Sequence, residues 1–209
     1  MPALAQSTNR RAGPFAMTVP SDSRTDDDTL VRAAQSGDRS AFGFLYARYA
    51  RMVHGILLSR VPHPDVDDLV QDVFLRAMPR LHVLRDVSRF PGWLAAIARN
   101  RAIDFHRRAK SDLVLDDDSV SEPDQLPSFN RRAPQASAEA RVALEAIRSL
   151  PDAYRETLIL RLVEGMTGPE IAARTGRTHG SVRVNLHRGM QQLREILGQR
   201  AAPAAGGDV

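Results

Sequence analysis

Apolar residues recur three and four positions apart along most of this chain, and no stretch alternates strictly between apolar and polar. That spacing builds helices with one buried face and predicts no strand. Asp26, Asp27, Asp28 and Thr29 give an acidic, capping-prone start to a first helix carrying Leu30, Val31, Ala33 and Ala34, which Gly37-Asp38 ends. Ala41, Phe42, Leu45, Tyr49, Met52, Val53, Ile56 and Leu57 mark a longer second helix. After the breaker Val61-Pro62-His63-Pro64, Asp65 opens a third helix. Its Val66, Leu69, Val70, Val73, Phe74 and Ala77 make a full apolar stripe, with Asp68, Gln71, Asp72, Leu75 and Arg76 opposite. Pro79 and an irregular stretch to Pro91 precede a fourth helix, predicted from Trp93 to about Arg108.

The second half repeats the style with a different grammar. Ala140, Ala143, Leu144, Ile147 and Leu150 form one helical face. Pro151 starts the next helix, with Tyr154, Leu158, Leu162 and Val163 expected inside and Gly165 at its end. Thr167-x-x-Glu170 is a capping box for a short helix that Gly176 stops. Thr178 caps the last helix, whose expected buried stripe is Val182, Leu186, Met190 (or Gly189), Leu193 and Leu197. A capped helix, a Gly-bearing turn and a second helix together predict a helix-turn-helix.

Between the halves, Lys110 to about Ser137 has no period, three Pro and an acidic run, and reads as a linker. The expected architecture is all-α. A disordered extension (residues 1–25) precedes a helical bundle (26–109), and a flexible acidic linker (110–137) leads to a second bundle with the helix-turn-helix (138–198) and a frayed tail (199–209).

Composition sharpens this in two ways. The net charge of +4 implies little, but its distribution is uneven. Six Arg face the single acid Glu195 between Ile171 and Arg200, five bases face Asp104 from Arg99 to Lys110, and six acids with no base fill Asp112 to Asp124. The chain has no Cys, which excludes disulfides, thiolate metal sites and thiol switching. With no membrane-spanning run and no apolar signal-peptide core, a soluble cytoplasmic protein is expected.

The candidate chemistry is recognition. On the last helix the stripe turns Ser181, Arg183, Val184, Asn185, His187 and Arg188 toward solvent, and Thr178 and His179 at its start join them as candidate DNA contacts. Asn pairs bidentately with adenine and Arg with guanine, each contributing roughly 1–3 kcal/mol of discrimination, while Arg also holds phosphates. On the fourth helix Arg99, Asn100, Arg101, Arg107 and Arg108 make a basic face with Phe90 and Trp93 at its start, suited to stacking on unpaired bases. Taken alone, Trp93 reads equally as a core anchor. On the third helix Leu75 sits exposed among charges, a hint of a protein partner. Asp67, Asp68 and Asp72 lack the spacing of a calcium loop and read as a solvated acidic face. No catalytic constellation and no cofactor motif is present, so no enzyme activity is expected.

Several blocks in order resemble a known family: Asp68-Leu-Val-Gln-Asp-Val-Phe-Leu-Arg76, Trp93-Leu-Ala-Ala-Ile-Ala-Arg-Asn100, Leu150-Pro151, Gly180-Ser-Val-Arg183 and Leu186-His-Arg188. They resemble the extracytoplasmic-function sigma factors, compact sigma subunits of bacterial RNA polymerase. The resemblance covers about Asp28 to Leu197. It implies that the first bundle binds core polymerase and opens the −10 element, while the second reads the −35 duplex. It further implies polymerase contacts from Asp68, Leu69, Gln71, Asp72, Phe74, Leu75 and Arg76. Asn100 would help hold a flipped base near Trp93, the Arg101–Arg108 patch would grip −10 DNA, and an anti-sigma factor is an expected partner. Family members often carry Ser-Arg at Val184-Asn185 and Ala at Gly189, departures expected to fall on the reading face. The competing expectation is a free-standing helix-turn-helix regulator that binds duplex DNA without polymerase.

Overall fold

The computed structural model describes residues 25–115 and 138–201. The N-terminal extension, most of the acidic linker and the end of the tail lie outside the described residues. Eight α-helices are described: α1 (Thr25–Gln35), α2 (Arg39–Leu58), α3 (Val66–Ala77), α4 (Phe90–Leu115), α5 (Ala138–Arg148), α6 (Asp152–Leu162), α7 (Gly168–Thr175) and α8 (His179–Ala201). No strand occurs among the described residues.

Local chemistry sets the boundaries. Asp38 caps α2 by accepting from the amides of Ser40 (2.8 Å) and Ala41 (3.1 Å). The Thr167–Glu170 capping box starts α7, and Gly176 ends it at φ 70°, a left-handed conformation that L side chains resist. Thr178 Oγ1 accepts from the Ser181 amide at the head of α8. α4 runs past its expected end at Arg108 to Leu115, because Ala109, Lys110 and Ser111 contain no breaker. The irregular stretch before it folds as short 3₁₀ turns, Met78–Val83 and Val87–Arg89. Gln35 of α1 pins them by donating to the carbonyls of Leu81 (3.0 Å) and Leu84 (2.8 Å).

α1–α4 form one bundle and α5–α8 another, but their apolar interiors meet. Leu45, Met52, Val53, Ile56, Val73, Phe90 and Leu94 belong to the same buried cluster as Ile147, Leu158, Ile159, Leu160 and Ile171. α6 is the shared wall. Glu156, Thr157, Leu158, Ile159 and Leu160 are buried in succession, which one-faced amphipathicity never produces. Leu158 and Ile159 lie inside, whereas Leu162 and Val163, expected inside, are each 49% exposed. The difference has a physical cause: α6 packs against α2 on one side and α8 on another, so its buried surface wraps round its middle rather than running to its end.

Candidate functional site

The outer face of α3 presents Asp68, Gln71 and Leu75 to solvent, with Leu75 70% exposed. Asp72 and Arg76 are half-buried and bonded to one another (3.2 Å), while Arg101 of α4 also grips Asp72. Those two guanidiniums hold the Asp72 carboxyl below its ordinary value against the opposing effect of burial. Two expected contact residues do not belong to this face. Leu69 and Phe74 are core, and Phe74 packs against Phe42 (6.2 Å) and Tyr46 (4.6 Å between ring centroids). Both are stripe positions of α3, so they shape the face from beneath.

The basic helix α4 is divided. Phe90 is wholly buried against Tyr49, and Trp93 is half-buried beside it, ring centroids 6.0 Å apart. Arg101 is committed to Asp72 and Arg99 to an acid of α6. Asn100, Arg107 and Arg108 remain exposed, Arg107 sharing a surface ion pair with Asp104 (3.2 Å).

On α8, Thr178, His179, Ser181, Arg183, Val184, His187 and Arg188 are exposed on one side of the helix start. Asn185 is not among them. It is 9% exposed, on the buried line of Val182, Gly189 and Leu193, so the expected outward placement is corrected. The physical reason is a one-residue rotation of the stripe: the buried line of α8 runs along i, i+3, i+7 and i+11 from Val182, and Leu186 is displaced to its edge. Gly189 also faces α6, close to Tyr154 and Leu158. Of the departures from the family pattern, only Val184 lies on the solvent side.

Periodicity gave no sign of the polar cluster between the bundles. Glu156 of α6 is fully buried, and Arg99 clasps its carboxylate with two bonds, Nε to Oε2 (3.0 Å) and Nη2 to Oε1 (2.8 Å). Arg60, beyond the end of α2, adds a bond to Oε2 (3.1 Å), and Arg177, from the turn of the helix-turn-helix, one to Oε1 (3.3 Å). Burial pushes the Glu156 carboxyl up, but the bonds and charge of Arg99, the charge of Arg177 and the bond from Arg60 outweigh it and hold the group below its ordinary value. Arg60 and Arg155 both bond Asp152 at the cluster's rim.

Other contacts extend the seam. His54 Nδ1 of α2 lies 2.6 Å from Glu164, and Arg51 donates to the Glu164 carbonyl. Arg148 Nη2 donates to the carbonyls of Leu58 (3.2 Å) and Val61 (2.9 Å). Arg174 donates to the Arg48 carbonyl (2.9 Å) and lies 5.8 Å from the Tyr49 ring centroid. The sequence held one usable signal for this cluster: Glu156 lies two residues ahead of the apolar run Leu158 to Leu160 on the same helix, and an acid there must either face out or meet buried bases.

Residues 45–111 match the family model of Sigma-70 region 2, and residues 140–193 match Sigma-70, region 4. The chain is 31% identical over 185 residues to the ECF RNA polymerase sigma-E factor of Escherichia coli K12, covering 85% of this chain and 95% of that one. It is 32% identical over 173 residues to the RNA polymerase sigma factor CarQ of Myxococcus xanthus, covering 79% and 94%. Among solved structures it resembles CnrH in complex with the cytosolic domain of CnrY, with a TM-score of 0.56 at 28% identity over 84% of this chain and 99% of that one. The fold is shared as well with the sigma factor RpoE in complex with the anti-sigma factor NepR from Bartonella quintana, TM-score 0.52 at 22% identity, covering 75% and 96%. With two region matches in order, and relatives aligned over nearly their whole length, the chain belongs to the ECF sigma factors of RNA polymerase.

Proposed function

We propose a division of labour among the surfaces of this promoter-specific initiation factor. The exposed line of Asp68, Gln71 and Leu75 on α3 docks on core polymerase, with the Asp72–Arg76–Arg101 network beneath it setting its shape. Leu75 carries this reading. A large aliphatic side chain 70% exposed and ringed by charge is what the anchor of a protein interface looks like before its partner arrives. Trp93, Asn100, Arg107 and Arg108 serve the −10 element, Arg99 and Arg101 joining them when freed from their acids. Ser181, Arg183, Val184, His187 and Arg188 on α8 face the −35 duplex, with Thr178 and His179 at the helix start where phosphate binds well. An anti-sigma factor regulates the chain, as the solved complexes of its structural relatives suggest.

Reconstituted transcription tests the whole reading. Purified chain and core polymerase are incubated with a genomic fragment library, and transcript starts are read by sequencing. The expected result is a discrete set of starts that share two spaced upstream elements and vanish without the chain. Starts that do not depend on the chain, together with tight duplex binding in the absence of polymerase, would replace this reading with a free-standing regulator.

A further inference from the structure

The amide side chains of α8 are poorly placed to read adenine. Asn185 is buried, and Gln191, Gln192 and Gln199 stand roughly three turns or more from the helix start. Base contacts come from the N-terminal residues of a recognition helix. There the outermost line is Gly180, Val184 and His187, spaced i, i+4 and i+7 and all exposed. Val184 is the apolar member of that line, and it is 42% exposed. We propose that Val184 selects a thymine in the −35 duplex through the 5-methyl group of the base. The proposal rests on α8 being the −35 reader and adds the base that its central residue chooses.

Four features carry it. First, the rotation of α8 is fixed from behind. Gly189 lies so close to α6 that a Cβ there would stand 3.1 Å from Tyr154 Cβ and 3.2 Å from Leu158 Cδ1. With that line held inward, Gly180, Val184 and His187 are held outward. Second, a helical side chain leans over the turn that precedes it, so Val184 lies over Gly180. Gly180 has no side chain, and nothing stands within 4 Å of a Cβ built on it, which leaves the valine methyls uncovered on that side. Third, Val is β-branched and keeps one dominant rotamer in a helix, so its methyls are in place before DNA arrives. Fourth, Arg183 and Arg188 are exposed on opposite flanks of the line, and neither is held by a salt bridge among the described residues. Phosphates taken on both sides would seat Val184 over the base edges between them.

The chemistry of the major groove then picks the base. Thymine offers a methyl group there, whereas guanine, adenine and cytosine offer polar edges that a valine cannot satisfy. A polar edge pressed against Val184 loses its water and gains no partner.

The test uses the full chain with core polymerase. Transcript starts define the −35 element, and each thymine in it, on either strand, is replaced in turn by deoxyuridine. That change removes the 5-methyl group and keeps the base pair. Promoter affinity is measured by competition for the parent and for Val184→Ala, with folding confirmed by circular dichroism. Val184→Ala falls on an exposed helix position where Ala favours the helix.

One thymine is expected at which deoxyuridine weakens the parent about fourfold, the effect of burying a single methyl group. Val184→Ala should weaken the unmodified promoter by a similar factor, and in that variant the same deoxyuridine should have no further effect. Equal parent affinity for every replaced promoter overturns the proposal. So does a loss that persists undiminished in Val184→Ala, or a −35 element without an A·T pair. Chain-dependent starts that share no −35 element would instead strike the assignment of α8, and this proposal with it.

Discussion

At the scale of single residues, two titratable contacts give the seam a window of pH. The His54 pKa is raised, chiefly by its hydrogen bond to Glu164, with the charges of Glu164 and Asp67 adding to it and burial opposing it. Arg51 is the cation that shares this corner. A raised basic group stabilises fully below its unfolded value of 6.5 and loses that contribution as pH climbs through the folded value. Glu156 behaves in the opposite sense. Its depressed pKa stabilises above the ordinary value of 4.5, and the contribution disappears as pH falls through the folded value. Chain stability, followed by chemical denaturation, is therefore expected to peak between these limits, and His54→Gln should flatten the alkaline side alone. At the DNA surface, Arg183→Ala should lower the salt slope of duplex binding by about 0.9, and an unchanged slope would remove Arg183 from the phosphate-binding set. Asn185→Ala, at a buried position, is expected to weaken binding to all sequences alike; a change confined to one or two base positions would return it to the reading face.

Among the helices, legibility followed how far burial wraps round each one. α3 buries a single stripe and α7 only Ile171, Ala172 and Thr175, and these, with the α7 capping box, were readable from spacing alone. α6 was readable in its limits but not in its orientation. Period analysis assumes one buried face, whereas Glu156 to Leu160 are buried without interruption. The same assumption placed Asn185 outside on α8 by a single residue of rotation. Leu160→Ala is therefore expected to destabilise by about 2–5 kcal/mol and Leu162→Ala by less than about 0.5, which thermal or denaturant melts would resolve. On α3, Leu75→Ala should leave the melt unchanged and weaken core polymerase binding by about 2 kcal/mol, close to thirtyfold. An unchanged polymerase affinity would mean that the docking surface lies elsewhere.

For the molecule as a whole, composition and order of motifs pointed to two helical units and to nucleic acid, but not to their closure. That information is carried by long-range pairs such as Arg60–Glu156, Arg99–Glu156 and His54–Glu164, which no local period encodes. A shared interior predicts joint unfolding. The parent should melt in one cooperative transition. Gly55→Leu, at a position where even a Cβ would stand 2.7 Å from Leu160 Cδ2, should separate it into two or broaden it markedly.

The burial of α6 between two bundles also bears on how long the chain survives. Once the seam parts, Leu160 and the α2 surface around Gly55 lose their cover, and an exposed apolar strip invites both association and proteolysis. Gly55→Leu should be digested faster than the parent in limited proteolysis, with core polymerase slowing the loss, so that a free, open sigma factor is short-lived and an employed one persists.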